Sequence, residues 1–575
     1  MSTMPARLGS LLLLLASSLA VAGAPSTFWV GAAAPCNFNS LQTAIGAVPD
    51  GSIVYIASNQ DYDGINVTIS NKSITLEGGY ADCTGTPDDA YLTLTGSPVT
   101  SAPVITIGSP VIGREVTLRR LRIEGGQASG IALSGHVSLR LERSIVDANV
   151  AAHGGGIDIV GVSPGETGVT LVESIVGNLD GAPGSGNEAA EAGGGIYCQN
   201  ASLHLRGAVI RNNHSAGSGG GVHLNDCMVD TGPNVFYTDE LGSVTAAIDA
   251  NRADVFGGGV HAFGGTSLVL GPGSARVGID DNEAPLGGGV YMKDAGTTLA
   301  GEGLVIEGNR ATDSGGAAYL ENGAFLSMRR NSNLVAGHGA GTDGFGVIVT
   351  TCDAPVECSS VSFNRADTHT GGAFFVLDAG LSLDQTALRG NYSENGSVLL
   401  FTAGSVARVQ NSLIAGNDAH NNNLVRVLDG SSLAVNSSTI AGNATGSTVL
   451  RLFSDSGANN LALFNSIIWQ PETTVLVATP VDTITSVCVN AHETESIVAV
   501  DHDPGFVDAA AGDYRLLASS ANIDACADPF SATTIDLLGR LRPTDLGEDH
   551  GDGDFDRGAY ELPDLIFADG FGAAD

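Results

Sequence analysis

The chain has 575 residues, of which 79 are glycine, and it is 43% apolar but only 15% charged. Glycine inside a helix costs roughly 1 kcal/mol relative to alanine, so this composition argues against a mainly helical protein, and the apolar content argues against a disordered one. The 62 acidic and 25 basic residues give a formal net charge of −37, which repels phosphate backbones, so we expect no nucleic-acid partner.

Residues 1–22 are predicted to be a signal peptide. Arg7 supplies a positive charge, Leu8–Leu19 form a short apolar run, and Ala20-Val21-Ala22 fits the small-x-small cleavage pattern. The apolar run is shorter than the ~20 residues that cross a bilayer, so we expect no membrane-spanning segment in the mature chain. The prediction is a secreted protein, either extracellular or held at the cell surface.

The eight cysteines are consistent with export, because disulfides persist in oxidising compartments. They fall into four pairs that are close in sequence, and no CxxC spacing of the kind found in zinc sites occurs. Their number allows many connectivities, of which we predict the pairing of near neighbours. The predicted disulfides are Cys36–Cys83, Cys198–Cys227, Cys352–Cys358 and Cys488–Cys526.

After an N-terminal region at 25–100, one phrase recurs through residues 101–465. An apolar strand is followed by asparagine, several small or polar residues, two or three glycines and another apolar strand, as in VIRNNHSAGSGGGVHL and AIDANRADVFGGGVHA. Intervals of 26 to 31 residues separate most of the asparagines Asn251, Asn282, Asn309, Asn364, Asn391, Asn417 and Asn443. The 55 residues from Asn309 to Asn364 leave room for two turns, with Asn331 or Asn333 in the intervening one.

This repeat predicts an all-β fold, a right-handed parallel β-helix. Leucine-rich repeats and WD40 blades carry signatures that are absent here. In a solenoid the strands of successive coils pair about 4.8 Å apart, and asparagines at equivalent corners can stack into a hydrogen-bonded ladder. Asparagine and glycine also tolerate the left-handed conformation that a corner requires, so we expect them at those positions.

The GGG[IV] phrase after an asparagine-containing strand resembles the GGA[ILV] and FxxN repeats of polymorphic outer-membrane proteins. The wider group is the pectate-lyase-like right-handed β-helix superfamily. CNFNSLQTAIGAVPDGSIVYIA at 36–57 is similar to the short capping helix and first strand that open many of its members. The resemblance implies that Leu41, Ile45 and Val48 cover the open end of the coil.

The C-terminal region, 466–562, is predicted to contain the last coils and a closing segment. Residues 501–528 and 538–562 resemble the closing segment of secreted bacterial β-helix proteins of the choice-of-anchor type, although Arg557 replaces the usual isoleucine before GAYE. Residues 563–575 resemble short FxDGF tags, which implies a sorting signal; a plain polar end is the alternative. The superfamily includes lyases, hydrolases, esterases and non-catalytic surface proteins, so the resemblance predicts the fold and not the function.

Two groups of residues mimic parts of known sites. Gly337-His338-Gly339 and Asp280-Asp281 resemble pieces of a polygalacturonase site, but they lie roughly two coils apart, so we expect no catalysis there. His223 and His261 follow equivalent glycine clusters, near positions that other coils fill with Asp158, Tyr291 or Tyr319. They could stack outward and bind a metal; solvent-facing strand residues are the interpretation we favour.

Charged segments suggest two further sites. Arg119, Arg120 and Arg122 could present a basic face to an acidic sugar, although exposed, solubilising side chains are the simpler interpretation. Asp552, Asp554 and Asp556, preceded by Glu548 and Asp549, alternate with small residues in a pattern that can wrap calcium through oxygen ligands. These three aspartates are candidate ligands of a structural calcium ion; a solvated acidic loop is the interpretation we favour.

The sequence assembles no complete acid–base set, so we assign no catalytic residue and no required cofactor. The predicted function is a non-catalytic adhesion or structural role at the cell surface or outside the cell. The alternative is a polysaccharide lyase or glycoside hydrolase acting on an extracellular glycan. Expected partners are a glycan or a host or neighbouring cell surface, and the chain is expected to be a monomer.

Overall fold

Short strands follow one another round a common core and return to the same face in each coil. In one coil the strands are Ile196–Gln199, Ser202–Arg206, Val209–Arg211 and His214–Ser215, and Val222–Asn225 begins the next coil. Each strand pairs in parallel with its counterpart in the adjacent coil. The chain is therefore a right-handed parallel β-helix, as the repeat predicted.

The computed structural model describes residues 25–562 except for 87, 89, 179–180, 182–183, 232–236, 240–241, 245–246, 272–276, 330–358, 369, 421, 472, 493–496, 528–534 and 544–552. Several predictions fall outside the described residues: the signal peptide, the Cys352–Cys358 disulfide, Gly337-His338-Gly339, Asp552 and the tail at 563–575.

The strands form four ladders, which we call sheets 1 to 4. Sheet 1 contains Thr27–Val30, Ser52–Ala57, Ile74–Tyr80, the C-terminal parts of Ile105–Arg119 and Ile131–Glu142, Gly168–Val172, Ser202–Arg206, Met228–Asp230, Ser267–Leu270, Thr298–Glu302, Phe325–Arg329, Gly380–Asp384, Val406–Gln410, Ser432–Asn436, Asn460–Phe464 and Thr483–Val487. Sheet 2 contains Val67–Ser70, the N-terminal parts of Ile105–Arg119 and Ile131–Glu142, Ile157–Val160, Ile196–Gln199, Val222–Asn225, Val260–Phe263, Val290–Lys293, Ala318–Glu321, Phe374–Leu377, Leu399–Thr402, Val425–Leu428, Thr448–Phe453 and Thr474–Val477.

The other two sheets are made of shorter strands. Sheet 3 contains Leu92–Thr95, Leu121–Glu124, Ile145–Val146, Ile175–Gly177, Val209–Arg211, Ala247–Asp249, Val277–Asp280, Leu304–Glu307, Ser360–Ser362, Ala387–Arg389, Leu413–Ala415, Thr439–Ala441, Ile467–Trp469 and Asn490–Ala491. Sheet 4 contains Val150–His153, Glu188–Ala192, His214–Ser215, Arg252–Ala253, Glu283–Leu286, Arg310–Ser314, Arg365–Ala366 and Tyr392–Ser393. Among the described residues, two antiparallel hairpins lie outside these sheets: Tyr237–Asp239 with Gly242–Val244, and Phe506–Asp508 with Asp513–Leu516.

The N-terminal end of the core is covered by the helix Leu41–Ala47, as the sequence predicted. The Ser40 hydroxyl caps it by accepting a hydrogen bond from the Thr43 amide at 3.3 Å. Leu41, Ile45 and Val48 are each at most 5% exposed and belong to the main apolar core. The predicted capping helix is therefore confirmed.

A buried asparagine ladder runs along the corner between sheets 3 and 4, which confirms the predicted stacking. The backbone N–H and the Nδ2 group of each asparagine donate to the Oδ1 of the asparagine one coil on, mostly at about 3.0 Å. The ladder consists of Asn149, Asn187, Asn213, Asn251, Asn282, Asn309, Asn364, Asn391, Asn417 and Asn443, and ends on Gln470.

The prediction of an extra turn between Asn309 and Asn364 is wrong. The backbone N–H of Asn309 donates directly to Asn364 Oδ1 at 3.1 Å across a sequence separation of 55. The two residues therefore lie in adjacent coils, and the additional chain is an insertion between the strands Phe325–Arg329 of sheet 1 and Ser360–Ser362 of sheet 3. Spacing alone cannot distinguish one lengthened coil from two short ones.

The ladder asparagines do not adopt the left-handed conformation that the sequence suggested for them. The residue before each one does so in most coils, as in Ala250 at φ 53° and Asp281 at φ 53°. Glycine meets two different demands in the triplets: Gly193 has φ +69°, while a Cβ on Gly194 would lie 2.4 Å from the His214 carbonyl oxygen of the next coil. The repeated glycines therefore allow both a turn and a close approach between coils.

Three of the four predicted disulfides lie within the described residues, and all three are formed. They are Cys36–Cys83, Cys198–Cys227 and Cys488–Cys526. Such bonds fit an oxidising, extracellular environment. Cys36–Cys83 joins the N-terminal region to the first coils, and Cys488–Cys526 joins the last coil to the closing segment.

The closing segment lies along the side of the solenoid. Tyr514, Leu538 and Tyr560 pack against Leu413 and Ala441 of sheet 3. This segment contains a buried ion pair between Arg542 and Glu561 at 3.1 Å, with side chains 1% and 0% exposed. The outer face of the last coils of sheet 3 is thus covered by the chain itself.

Candidate functional site

One line of outward-pointing side chains crosses sheet 2 and brings together an aspartate, two histidines, several tyrosines and two arginines. Strand side chains alternate between the core and the outside, and parallel pairing places equivalent outward residues in line. We call this line the outer column. It consists of Asp158, Tyr197, His223, His261, Tyr291, Tyr319, Phe375, Leu400, Arg426 and Arg451.

The middle of the outer column is a continuous stack of rings. Successive centroids are 5.2 Å apart for Tyr197 and His223, 4.7 Å for His223 and His261, and 5.2 Å for His261 and Tyr291. The stack continues through Tyr319 to Phe375, with 5.3 Å and 4.6 Å between centroids. These distances match the ~4.8 Å spacing between coils, so the backbone pairing itself sets the ring contacts.

The two histidines are buried, so the solvent-facing interpretation is wrong. His223 is 8% and His261 is 4% exposed, and their Nδ1 atoms are 3.1 Å apart. Phe256 packs on His261 from the loop before the strand, and Phe263 stacks on it at 5.2 Å. Burial lowers the pKa of His223 to about 4 and that of His261 well below its usual value, so both rings are neutral at neutral pH.

Charged side chains lie beside the ring stack and at its N-terminal end. The Tyr291 hydroxyl donates to Glu321 Oε1 at 2.6 Å, and the Lys293 ammonium lies 5.1 Å from the centre of the Phe263 ring. At the far end, burial raises the pKa of Asp158 to about 6, against an opposing effect of the nearby His153. Asp158 Oδ1 is buried and has no hydrogen-bond partner among the described residues.

The three arginines of the predicted basic face are held by neighbouring groups. Arg119 forms ion pairs with Glu142 and, at 3.5 Å, with Glu77. Arg122 pairs with Asp147 at 2.7 Å and with Glu124 at 2.8 Å. Arg120 occupies a corner at φ 53°, and its Nη2 donates to the Asp88 carbonyl oxygen at 2.6 Å. The positive charges of Arg119 and Arg122 are therefore balanced locally.

Asp280 and Asp281 do not act as a pair. Asp280 ends a strand of sheet 3, in register with Asp249 and Glu307, whereas Asp281 takes the left-handed corner position before Asn282. Their orientation towards Gly337-His338-Gly339 is not tested, because that segment lies outside the described residues.

The predicted calcium ligands have different surroundings. Asp556 is 1% exposed, and its two carboxylate oxygens accept hydrogen bonds from the backbone amides of Asp524 at 2.9 Å and Leu562 at 2.7 Å. Asp554 is exposed. In the described part of the chain, no group of three or more histidine, cysteine or acidic side chains is placed to hold a metal ion.

A calcium site at Asp552, Asp554 and Asp556 therefore remains a prediction. Titration calorimetry of calcium into the wild type and the Asp552→Ala/Asp554→Ala variant tests it. Lower heats in the variant are the expected result, and identical heats would remove the site.

Sequence comparison of the glycine triplets finds much of the outer column. The second residue after each triplet or its equivalent is Asp158, Tyr197, His223, His261, Tyr291, Tyr319 or Phe375. The sequence analysis missed the flanking Phe256, Phe263 and Glu321, and it missed Arg426 and Arg451. The two arginines follow no glycine triplet, so only the strand register assigns them to the column.

Within the described residues, the search for an apolar helix long enough to cross a membrane found none.

Comparisons with known proteins add little. The sequence matches no protein-family model and no curated protein. Among solved structures, the chain is similar to the A-module of the mannuronan C-5 epimerase AlgE6 of Azotobacter vinelandii. The sequence identity is 12%, the match covers 79% of this chain and 94% of that chain, and the TM-score is 0.19. A TM-score this low carries no argument, so any functional conclusion must come from the residues themselves.

Proposed function

We propose that this protein is an exported β-helix scaffold, extracellular or held at the cell surface, with a non-catalytic adhesion or structural role. The observation that carries the proposal is the packing of the outer column of sheet 2. Its rings cover one another over successive coils, and Arg119 of sheet 1 and Arg122 of sheet 3 are paired with carboxylates.

A catalytic base must reach the proton that it removes. The His261 ring instead contacts His223, Phe263 and Tyr291, and its Nε2 is buried without a hydrogen-bond partner among the described residues. A neutral, enclosed imidazole of this kind stabilises the stack through ring contacts. The residues that most resemble catalytic groups thus have a packing role.

Export is supported by the predicted signal peptide and by the three disulfides. A rigid solenoid with long flat faces suits contact with an extended glycan or with another cell surface. We propose that the mature chain is a monomer, since the closing segment covers one outer face with the chain's own side chains.

The test combines binding with turnover. The full mature chain is incubated with insoluble cell-wall polysaccharides, with soluble acidic and neutral glycans, and with whole cells. We expect co-sedimentation with a glycan or cell fraction and no release of reducing ends or unsaturated sugars. Depolymerisation by the wild type would overturn the non-catalytic assignment, and the absence of binding to any surface would overturn the adhesion role.

A polysaccharide lyase or hydrolase is the second candidate. It is favoured by Asp158, whose carboxyl group has a pKa raised to about 6 beside His153, because perturbed carboxyl groups cluster at catalytic sites. If turnover is found, Asp158→Asn should abolish it and Asp554→Asn, on the exposed closing loop, should not. Equal turnover in both variants would exclude Asp158 as the catalytic group.

A further inference from the structure

Two arginines lie side by side at the end of the outer column. Arg426 pairs in register with Arg451 of the next coil, so their side chains leave the same face about one coil spacing apart. Both are partly buried, which keeps the guanidinium groups close to the sheet. Two like charges in this arrangement repel each other, so the pair needs compensation from another group.

Carboxylates provide this compensation for several other arginines of the molecule. Arg119, Arg122 and Arg310 each form ion pairs with two acidic side chains. Across the described residues, neither Arg426 nor Arg451 has an acidic side chain within ion-pair distance. This is unexpected in a chain with 62 acidic and 25 basic residues, in which carboxylates are abundant.

The groups that contact the two guanidinium groups are neutral, so they orient the arginines without neutralising their positive charge. Arg426 Nη2 donates to Asn422 Oδ1 at 2.6 Å, and Asn422 is itself held by a hydrogen bond from its Nδ2 to the Asn395 carbonyl oxygen at 3.2 Å. The Arg451 guanidinium lies 5.9 Å from the centre of the Phe453 ring. Burial and the charge of Arg451 both lower the pKa of Arg426. An anion bound between the two groups would relieve this repulsion.

The surroundings indicate the class of anion. A guanidinium binds a planar carboxylate through two parallel hydrogen bonds. Phe453 and Val477, on neighbouring positions of sheet 2, are 41% and 38% exposed and supply an apolar surface for the carbon face of a sugar ring. Nucleic acid carries a much denser charge, which the net charge of −37 opposes.

We propose that Arg426 and Arg451 form an anion-binding site for the carboxylate groups of an acidic glycan, with Phe453 as the apolar contact. The site rests on the proposed adhesion role and deepens it by naming the class of ligand. It holds whether the chain is released or retained at the surface.

The test measures binding of polygalacturonate, with neutral dextran, dextran sulfate and monomeric galacturonate as comparison ligands. The full mature chain is titrated at low and at physiological salt. Hydrogen bonds to charged groups predict about a tenfold loss of affinity for each arginine replaced by glutamine. Arg426→Gln/Arg451→Gln should therefore lose polygalacturonate binding, and Arg426→Lys/Arg451→Lys should keep part of it.

The matched control is Arg140→Gln/Arg143→Gln, which changes the net charge equally on a different face, where both arginines pair with glutamates. It should bind like the wild type. An equal loss in the control would show a general charge effect and would overturn the site, as would a wild type that does not bind polygalacturonate. Stronger binding of dextran sulfate than of polygalacturonate would overturn the carboxylate assignment. Circular dichroism of each variant checks that the fold is kept.

Discussion

Replacing Asn282 by alanine tests the asparagine ladder most directly. Its Nδ2 donates to the Ile248 carbonyl oxygen at 2.9 Å and to Asn309 Oδ1 at 3.0 Å. Its Oδ1 accepts from the backbone N–H and the Nδ2 of Asn251, both at 3.0 Å. The side chain is 0% exposed, so water cannot replace these partners without opening the coil.

The expected loss follows from these four bonds. Each contributes a net ~1 kcal/mol, so Asn282→Ala should lower the free energy of unfolding by about 4 kcal/mol. The Asn251 amide loses its acceptor, which makes it the most sensitive local probe. The backbone amide of Asn364, the ladder residue two coils further on, should lose much less protection, because the coils of a solenoid interact mainly with their nearest neighbours.

Urea unfolding followed by circular dichroism measures the global loss, and hydrogen exchange measures protection of the Asn251 amide. The control is Asn395→Ala, since Asn395 is exposed and its Nδ2 makes a hydrogen bond to the Thr368 carbonyl oxygen at 2.9 Å. We expect the control to change stability by about 0.5 kcal/mol or less. A loss below about 1 kcal/mol for Asn282→Ala, with protection at Asn251 retained, would refute the reasoning.

Three further changes test other parts of the structure. Cys198→Ser/Cys227→Ser opens a disulfide with a sequence separation of 29, which should cost about 3.5 kcal/mol by loop entropy and lower the calorimetric midpoint. His223→Phe/His261→Phe should remove a loss of stability on acidification. The His223 pKa of about 4 lies below the unfolded value, so the unfolded state binds more protons between about pH 6.5 and 4, and the wild type loses about 3 kcal/mol for this residue across that window. Gly194→Ala places a Cβ 2.4 Å from the His214 carbonyl oxygen. The free energy of unfolding should therefore fall by about 2 kcal/mol, which a lower thermal midpoint would show.

Each of these has a control. Reductant should lower the unfolding midpoint of the wild type more than that of the Cys198→Ser/Cys227→Ser variant, because the variant has already lost this disulfide. Asp158 has a raised pKa, so its protonation favours the folded state as the pH falls. This contribution is the same in both proteins, so the histidine effect is the difference in free energy of unfolding between the wild type and the His223→Phe/His261→Phe variant. A difference that stays constant from pH 7 to pH 4 would contradict the prediction. Gly46→Ala, in the capping helix where a Cβ meets nothing within 4 Å, should raise stability; a loss equal to that of Gly194→Ala would contradict the packing argument.

The fold was largely predictable because its requirements are local. The left-handed glycines and the buried amides have to recur once per coil, so they appear in the sequence as a period. The capping helix was predictable for a similar reason, since Leu41, Ile45 and Val48 lie on one face of a short amphipathic segment. Three disulfides between cysteines close in sequence also formed as predicted.

The candidate sites were harder to predict because they depend on unequal coil lengths. His223 and His261 are 38 residues apart and yet in contact, whereas Asn309 and Asn364 are 55 residues apart in adjacent coils. An insertion changes the sequence spacing without changing the pairing register, so spacing does not predict which side chains stack. Burial of the histidines also depends on Phe256, which comes from a loop outside the repeated strand.

The sequence by itself determined the solenoid and its asparagine ladder, because backbone conformation and hydrogen-bonding groups are encoded coil by coil. Only the tertiary structure decided which outward side chains meet. It enclosed the ring stack around His223 and His261, and it placed Arg426 beside Arg451 with no carboxylate of the described residues at ion-pair distance. The reason is that contacts across coils depend on the pairing register, which backbone hydrogen bonds set in three dimensions.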